Sequence, residues 1–132
     1  MDFVSIRIIT DDVERLAQFY EQVTSLSAAR PAPVFAELSL PSGTLAIGHS
    51  QTTQLFGADS AHAADNHSVI IEFLVEDVDA EYERLKPLVE EWVTEPTQMP
   101  WGNRSVLFRD PDGNLVNLFT PVTEEAIRKF GH

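Results

Sequence analysis

The sequence predicts an α+β fold in which a module of one strand, one helix and further strands occurs twice. Three observations lead to this prediction: two similar hairpin turns, two similar strand–helix segments, and nearly equal spacings between the copies. Gly113 lies 70 residues after Gly43, and Asp77 lies 65 residues after Asp12. The copies therefore differ by about one short loop insertion.

The hairpin turns come first because they fix the end of each module. The segment Asp110-Pro111-Asp112-Gly113-Asn114 separates two apolar runs, residues 105–109 and 115–120. Proline presets φ for a turn and glycine tolerates positive φ, so this segment predicts a hairpin. Pro41-Ser42-Gly43 joins residues 35–40 to residues 44–49 in the same way.

Each module begins with a strand that leads into a helix. Residues 4–9 form an apolar run, followed by apolar residues at helical spacing from Val13 to Val23. Residues 69–75 repeat the run, and a second amphipathic stretch extends from Val78 to Leu88. Asp12 and Asp77 stand where a carboxylate can accept the unpaired N–H groups of a helix N-terminus.

The composition limits the classes of function. The chain of 132 residues has 21 acidic residues against 9 Lys and Arg, a net charge of −12, and no cysteine. We therefore expect no disulfides, no binding to nucleic acid or membrane, and a soluble cytoplasmic protein. The acidic surface would favour cationic ligands, although high solubility alone also explains such a charge.

The chain is predicted to be a single domain over residues 1–132. Its modules cover about 1–49 and 67–121, and a short C-terminal helix covers about 123–130. Residues 50–66 are polar and rich in alanine, which indicates a connection between the modules or a mobile cover over a site.

Several of these segments together resemble the vicinal-oxygen-chelate superfamily. They are Phe19-Tyr20 at the end of the first helix, Asp77-Val78-Asp79, Pro100-Trp101-Gly102 and the Asp-Pro-Asp-Gly-Asn turn. That superfamily includes glyoxalase I, fosfomycin-resistance enzymes, extradiol dioxygenases and bleomycin-binding resistance proteins. The resemblance implies two βαβββ modules that form a half-open curved sheet around a cavity, commonly completed in a homodimer.

The resemblance also implies where enzymes of the family hold a divalent metal. The positions correspond to Ser5, Ile47, Ile70 and Asn117 in this chain. Two aliphatic side chains supply no lone pairs, so we expect no metal and no other cofactor. A register slip of two residues would instead bring in His49 and Glu72, with Glu37 as a third donor.

Alternation along the strands, counted from the positions that the resemblance implies, predicts which side chains line the cavity. The resemblance itself implies Leu107 and, through the repeat, Phe35 and Glu37. Arg7 has two possible roles, a structural ion pair with Glu37 or Glu72 and the recognition of a ligand. Without a metal, Glu37, Glu72 and His49 are the candidates for proton transfer. The predicted cavity residues are Arg7, Phe35, Glu37, Ile47, His49, Glu72, Leu107, Asn117 and Phe119.

Trp101 and Arg104 are two further candidate ligand-binding residues that do not follow from strand alternation. The resemblance places the loop of Trp101 near the mouth of the cavity, where the indole could stack on a ligand or fill a dimer interface. Arg104 could orient a ligand carboxylate or pair with a nearby acidic residue. Trp92 is predicted to serve packing.

These observations favour a metal-independent protein of the bleomycin-resistance type that binds a small organic molecule. The alternative is a lyase, isomerase or dioxygenase of the same superfamily, using either a displaced metal site or a carboxylate base. The sequence does not decide between them, because the fold is shared by all of these activities.

Overall fold

The computed structural model describes residues 1–131 of the chain. Its chain divides into two compact units, residues 1–66 with 111–113 and residues 67–110 with 114–131. Each unit contains one mixed β-sheet and the helices that belong to it. The predicted α+β class with a repeated module is confirmed by this element order.

The first unit follows the order strand, helix and three strands. Its elements are β1 (Ser5–Thr10), α1 (Val13–Thr24), β2 (Ala29–Ala32), β3 (Phe35–Leu40) and β4 (Gly43–His49), followed by a 3₁₀ helix (Ser50–Phe56). The strand order is β1-β4-β3-β2, in which β1 is parallel to β4 and the other pairs are antiparallel.

The second unit repeats this topology. Its elements are β5 (Ile70–Leu74), α2 (Val78–Leu85), β6 (Glu91–Trp92), β7 (Thr97–Gln98), β8 (Asn103–Arg109), β9 (Leu115–Pro121) and α3 (Glu124–Lys129). The order is β5-β9-β8-β6, with β7 also paired to β8, and β5 is parallel to β9. β5, β9 and β8 thus take the places of β1, β4 and β3.

The helix caps form as their sequences predict. The Asp12 carboxylate accepts a hydrogen bond from the Arg15 amide at 3.1 Å, and Asp77 accepts one from Ala80 at 3.2 Å. An aspartate cap of this kind stabilises a helix by about 1 kcal/mol. Thr123 caps α3 in the same way through the Ala126 amide. No helix in the described residues is long and apolar enough to cross a membrane.

The core of the first unit lies between α1 and one face of its sheet. Leu16 and Tyr20 on α1 are almost completely buried, as are Leu38 on β3 and Ile47 on β4. Full burial of one such aliphatic side chain contributes about 1.5–3 kcal/mol. The opposite face of the sheet, which we call the open face, points away from α1.

An arginine fork fixes α1 to β2. Arg30 donates to both carboxylate oxygens of Glu21 and of Glu14 at 2.9–3.1 Å. This guanidinium, together with the Ala28 amide, lowers the pKa of Glu21 to about 2. The same guanidinium also lowers the pKa of Glu14.

Candidate functional site

The open face of the first unit brings together three of the predicted site residues. Arg7 on β1 pairs with Ala46 on β4, and Ala46 pairs in turn with Glu37 on β3. Phe35 pairs with Gly48 one step further along the strands. Paired residues of neighbouring strands share a face, so Arg7, Phe35 and Glu37 all lie on the side opposite α1.

Arg7 contacts aromatic rings rather than a carboxylate. Its guanidinium carbon lies 5.3 Å from the centroid of Phe35 and 5.8 Å from that of Phe56. Both distances are within the range of cation–π attraction. Phe56 belongs to the 3₁₀ helix, so the first part of the predicted connection reaches this face. This segment lacks the periodicity that would have predicted such a role for Phe56.

Within the first unit, the predicted ion pair of Arg7 with Glu37 does not form. No carboxylate oxygen of this unit lies within 4.0 Å of the Arg7 guanidinium in the described residues. Arg7 and Glu37 stand on β1 and β3, with β4 between them. Two strand spacings, about 9.6 Å, therefore separate the two backbones, and the Arg7 guanidinium lies against the rings of Phe35 and Phe56 instead.

Ile47 and His49 do not share the open face, so this part of the cavity prediction is wrong. Ile47 pairs with the buried Ile8, and His49 pairs with the buried Thr10, both on the side of α1. Ile47 itself is completely buried. His49 Nδ1 accepts a hydrogen bond from the Gln51 amide at 3.1 Å and so caps the 3₁₀ helix.

The error arises from the two hairpin turns. In the first hairpin Leu40 pairs with Gly43, whereas in the second Arg109 pairs with Leu115. The first loop therefore has two residues and the second has five. Aligning Gly43 with Gly113, as the predicted offset does, shifts β4 by one residue relative to β9. A shift of one residue moves every side chain to the other face. Ala46, rather than Ile47, therefore corresponds to Asn117.

In the second unit we use the same name, open face, for the face of the sheet opposite α2. This face carries Glu72, Asn117 and Leu107 in one row across β5, β9 and β8. Asn117 Nδ2 donates a hydrogen bond to Glu72 Oε2 at 2.8 Å, which orients the carboxylate. Phe119 lies in the next row, paired with Ser105. Asn117 Oδ1 and Ser105 Oγ are buried and have no hydrogen-bond partner in the described part of the chain.

Arg104 lies on the other face, next to α2. It pairs with Thr120, whose hydroxyl accepts from the Val78 amide at the start of α2. Its guanidinium donates to both carboxylate oxygens of Asp79 at 2.8 and 2.9 Å. This pairing raises the pKa of Arg104 and lowers that of Asp79. Of the two roles predicted for Arg104, the structure shows the pair with a nearby acid, and the ligand contact stays a prediction.

The two tryptophans have different environments. Trp92 packs edge-on between Tyr82 and Phe108, with centroid distances of 4.7 and 5.4 Å. Trp101 is 68% exposed. It stands in a tight turn closed by the Met99 amide donating to the Asn103 carbonyl at 2.7 Å.

Gly102 holds this turn against the start of α3. Its φ is +99°, and its carbonyl accepts hydrogen bonds from the Val122 and Thr123 amides at 2.9 and 3.2 Å. A Cβ at this position would lie 2.2 Å from Thr123 Oγ1. Only glycine allows both the backbone angle and this close approach.

A cleft of about 500 Å³ opens between this turn and α3, and we call it the Trp101 cleft. It combines aromatic surface with a few polar groups, the usual composition of a small-molecule pocket. Lys129 Nζ lies 5.4 Å from the ring centroid of Phe130, which itself packs 5.0 Å from Phe119. The lining residues are Pro100, Trp101, Gly102, Asn103, Thr123, Glu125, Ala126, Lys129 and Phe130.

Sequence reasoning selected only Trp101 among these residues. Asn103 could have been found by extending the alternation of β8 two residues back from Ser105. It is 9% exposed, and its Oδ1 has no hydrogen-bond partner within residues 1–131.

The residues at the family's metal positions do not fit a divalent metal. Ser5 and Ile70 lie on the open faces, and their partners on the neighbouring strands are Thr44 and Leu115. None of these four side chains is an imidazole or a carboxylate. In the next row, the Asn117 amide already donates to Glu72. The alternative set also fails within the first unit, because His49 and Glu37 lie on opposite faces of one sheet. No group of three potential metal ligands occurs in residues 1–131.

The fold and the repeated module are those of a known protein superfamily, which the sequence also matches. A profile of the Glyoxalase/Bleomycin resistance protein/Dioxygenase superfamily matches residues 2–118. The chain belongs to this superfamily. No curated protein matches it.

Solved structures show the same fold at low sequence identity. A glyoxalase/bleomycin resistance protein/dioxygenase from Nocardioides is 22% identical, with a TM-score of 0.76 over 94% of this chain and 85% of that one. A family enzyme from Burkholderia phytofirmans PsJN is 17% identical, with a TM-score of 0.78 over 92% and 100%. A glyoxalase-related enzyme from Fulvimarina pelagi is 18% identical, with a TM-score of 0.78 over 91% and 88%. At these identities the likeness concerns the fold alone.

Proposed function

We propose that this protein binds a small planar organic molecule without a metal, and that the Trp101 cleft takes up the ligand. The observation that carries the proposal is an exposed indole held on a rigid turn beside an aromatic cleft of about 500 Å³. An indole fixed in this way can stack on a planar or cationic ring at little cost in entropy. The size of the cleft lies within the usual range for small-molecule sites.

Long-range electrostatics favours a cationic ligand of the drug or antibiotic type. The net charge of −12 raises the local concentration of cations around the protein. The cleft itself contains one acid, Glu125, and one base, Lys129. These two charges cancel, so the preference for cationic over anionic ligands would come from the electrostatic potential of the whole chain and not from charges in the cleft.

Titration followed by ¹H–¹⁵N NMR tests this proposal, because the chain has only two indole N–H groups. Proflavine, a planar cation, should shift the Trp101 cross-peak to saturation and leave the cross-peak of Trp92, which packs between Tyr82 and Phe108, nearly unchanged. Trp101→Ala should weaken binding at least tenfold, since the stacking surface is lost. An unchanged Trp101 cross-peak across cationic, neutral and anionic aromatic probes would end the proposal.

Metal independence has its own test. The protein is incubated with Zn, Ni, Mn and Fe, desalted and subjected to elemental analysis, and the proflavine titration is repeated with EDTA. We expect clearly substoichiometric metal and the same dissociation constant. About one tightly held metal per chain would show that the donor argument is wrong.

A carboxylate-base lyase or isomerase is the second candidate, and the Asn117–Glu72 hydrogen bond favours it. This bond fixes one oxygen of Glu72 and leaves the other to take a proton. Once turnover of a substrate is detected, Glu72→Gln should abolish it while Trp101→Ala changes only the apparent affinity. Full turnover by Glu72→Gln would dismiss this candidate.

A further inference from the structure

The open face of the first unit carries an exposed arginine that has no carboxylate partner within that unit. Arg7 lies on β1, and no carboxylate oxygen of the described part of the unit is within 4.0 Å of its guanidinium. The guanidinium carbon instead lies 5.3 Å from the ring centroid of Phe35 and 5.8 Å from that of Phe56. Aromatic rings attract the positive charge, but they supply no oxygen acceptors for the five N–H donors of the group.

Two other arginines of the chain show what Arg7 lacks. Arg30 donates to both carboxylate oxygens of Glu21 at 2.9 and 3.1 Å, and Arg104 donates to both oxygens of Asp79 at 2.8 and 2.9 Å. The planar fork of a guanidinium matches the two oxygens of a carboxylate. The chain has 21 acidic residues, yet the first unit places none of them against the Arg7 fork.

A glycine on the central strand gives Arg7 its place between the rings. Gly48 pairs with Phe35, and a Cβ on Gly48 would lie 3.4 Å from Arg7 Cδ and 3.6 Å from Phe35 Cδ2. The arginine stem and the ring therefore pack together over the bare backbone of Gly48. Phe56 is 67% exposed, so much of its ring surface stays accessible beside the guanidinium. We call this group of four residues, Arg7, Phe35, Gly48 and Phe56, the Arg7 site.

From this arrangement we propose that the Arg7 site binds an aryl carboxylate. The two carboxylate oxygens accept hydrogen bonds from the guanidinium fork, and the aryl ring packs against Phe56. This site is separate from the Trp101 cleft, and the inference goes beyond the function proposed for that cleft. The net charge of −12 opposes anions at long range, whereas the charge-assisted hydrogen bonds of Arg7 act on direct contact.

Two nearly isosteric probes test the inference: 2-naphthoate, which is an anion at pH 7, and the neutral 2-naphthamide. Dissociation constants come from the saturable shift of the Gly48 backbone cross-peak in ¹H–¹⁵N spectra. The Trp101 indole cross-peak reports separately on the cleft. We expect the wild-type protein to bind naphthoate at the Arg7 site about tenfold more tightly than naphthamide, because the naphthoate bonds are charge-assisted.

The variant Arg7→Met removes the charge and the fork while it keeps an unbranched apolar stem. Naphthoate should lose about tenfold in affinity and naphthamide should change little. Arg15→Met is the matched control, since Arg15 is an exposed arginine on α1, and it should leave both dissociation constants unchanged. The backbone cross-peaks of the 3₁₀ helix report whether Arg7→Met keeps its fold. The ratio for the wild type needs no variant, so a folding defect would leave the main test intact.

The outcomes separate this inference from the proposed function. An unshifted Gly48 cross-peak, or equal affinities of the two probes there, would overturn the Arg7 site. A preference for naphthoate that persists in Arg7→Met would overturn it as well. If naphthoate shifts the Trp101 cross-peak alone, the Arg7 site is refuted and binding in the cleft stands. Failure of every aromatic probe to shift Trp101 would end the proposed function and leave the result at Gly48 to decide this inference.

Discussion

Replacing Gly102 with alanine should destabilise the protein far more than the same change at Gly113. Both glycines have positive φ, +99° and +84°, so each alanine adopts a backbone conformation that costs about 1–2 kcal/mol. The loss of chain entropy in the unfolded state returns about 0.4–1 kcal/mol in both cases. A Cβ on Gly113 meets nothing within 4 Å. We therefore expect a net cost of about 1 kcal/mol for Gly113→Ala.

At Gly102 a steric term is added. The new Cβ would lie 2.2 Å from Thr123 Oγ1 and 3.2 Å from Ala126 Cβ. The hydroxyl has to rotate away, which breaks its hydrogen bond to the Ala126 amide and removes the N-cap of α3. Loss of a threonine cap costs about 1 kcal/mol, and repacking against Ala126 adds to it. The total for Gly102→Ala is about 3 kcal/mol.

Urea denaturation, followed by far-UV circular dichroism, measures both variants and a double-mutant cycle with Thr123→Ala. Removing Oγ1 first relieves the clash, so Gly102→Ala should cost about 1 kcal/mol less in the Thr123→Ala background. Equal destabilisation by Gly102→Ala and Gly113→Ala, within about 0.5 kcal/mol, would refute the close approach of this turn to α3.

Three further predictions follow from particular contacts. Ile47→Ala should cost about 2–5 kcal/mol in urea unfolding because Ile47 is completely buried, whereas Ile70→Ala, at a side chain 45% exposed, should cost less than about 1 kcal/mol; similar costs would contradict the observed register. Arg30→Met should cost about 1 kcal/mol at pH 7, after allowance for solvent screening of the pair with Glu21. Because the pKa of Glu21 is lowered to about 2 in the folded state, this difference should be full above pH ~4.5 and shrink as the pH falls towards 2; growth of the difference on acidification would reverse the assigned sign. Arg104→Met should shift the urea midpoint little and leave the affinity for proflavine unchanged, because Arg104 faces Asp79 on the α2 side; a large loss of affinity would return Arg104 to the site.

Much of the fold could be predicted because its signals are local. Both aspartate caps, the Asp110–Asn114 turn and the apolar spacing of α1 depend on residues close in sequence, and all appear in the structure. The turn is closed by two hydrogen bonds to the Asp110 carboxylate. The Asn114 backbone amide donates one at 2.9 Å, and Asn114 Nδ2 donates the other at 2.8 Å. The repeat then placed β5 and β9 correctly relative to β1 and β4.

The site could be predicted only in part, because its residues depend on pairing between strands. The alternation placed Arg7 and Glu37 on one face, but it gave no information on the partner of Arg7. That partner is Phe56, from a segment without periodicity, together with Phe35. The two roles of Arg104 could not be separated for a related reason: its contact with Asp79 requires the packing of α2 against β8.

The register of β4 also explains how the two copies of the module diverged. With Ala46 equivalent to Asn117, Arg7 becomes the counterpart of Glu72, so the same position carries opposite charges in the two units. In the second unit, Asn117 reaches the neighbouring carboxylate at 2.8 Å; in the first, a methyl group stands at that place and cannot bond to the guanidinium. Arg7 therefore lies across its own sheet and contacts the rings of Phe35 and Phe56. Asparagine on the central strand thus accompanies a charge fixed by a hydrogen bond in the second unit, and alanine accompanies a charge held against aromatic rings in the first.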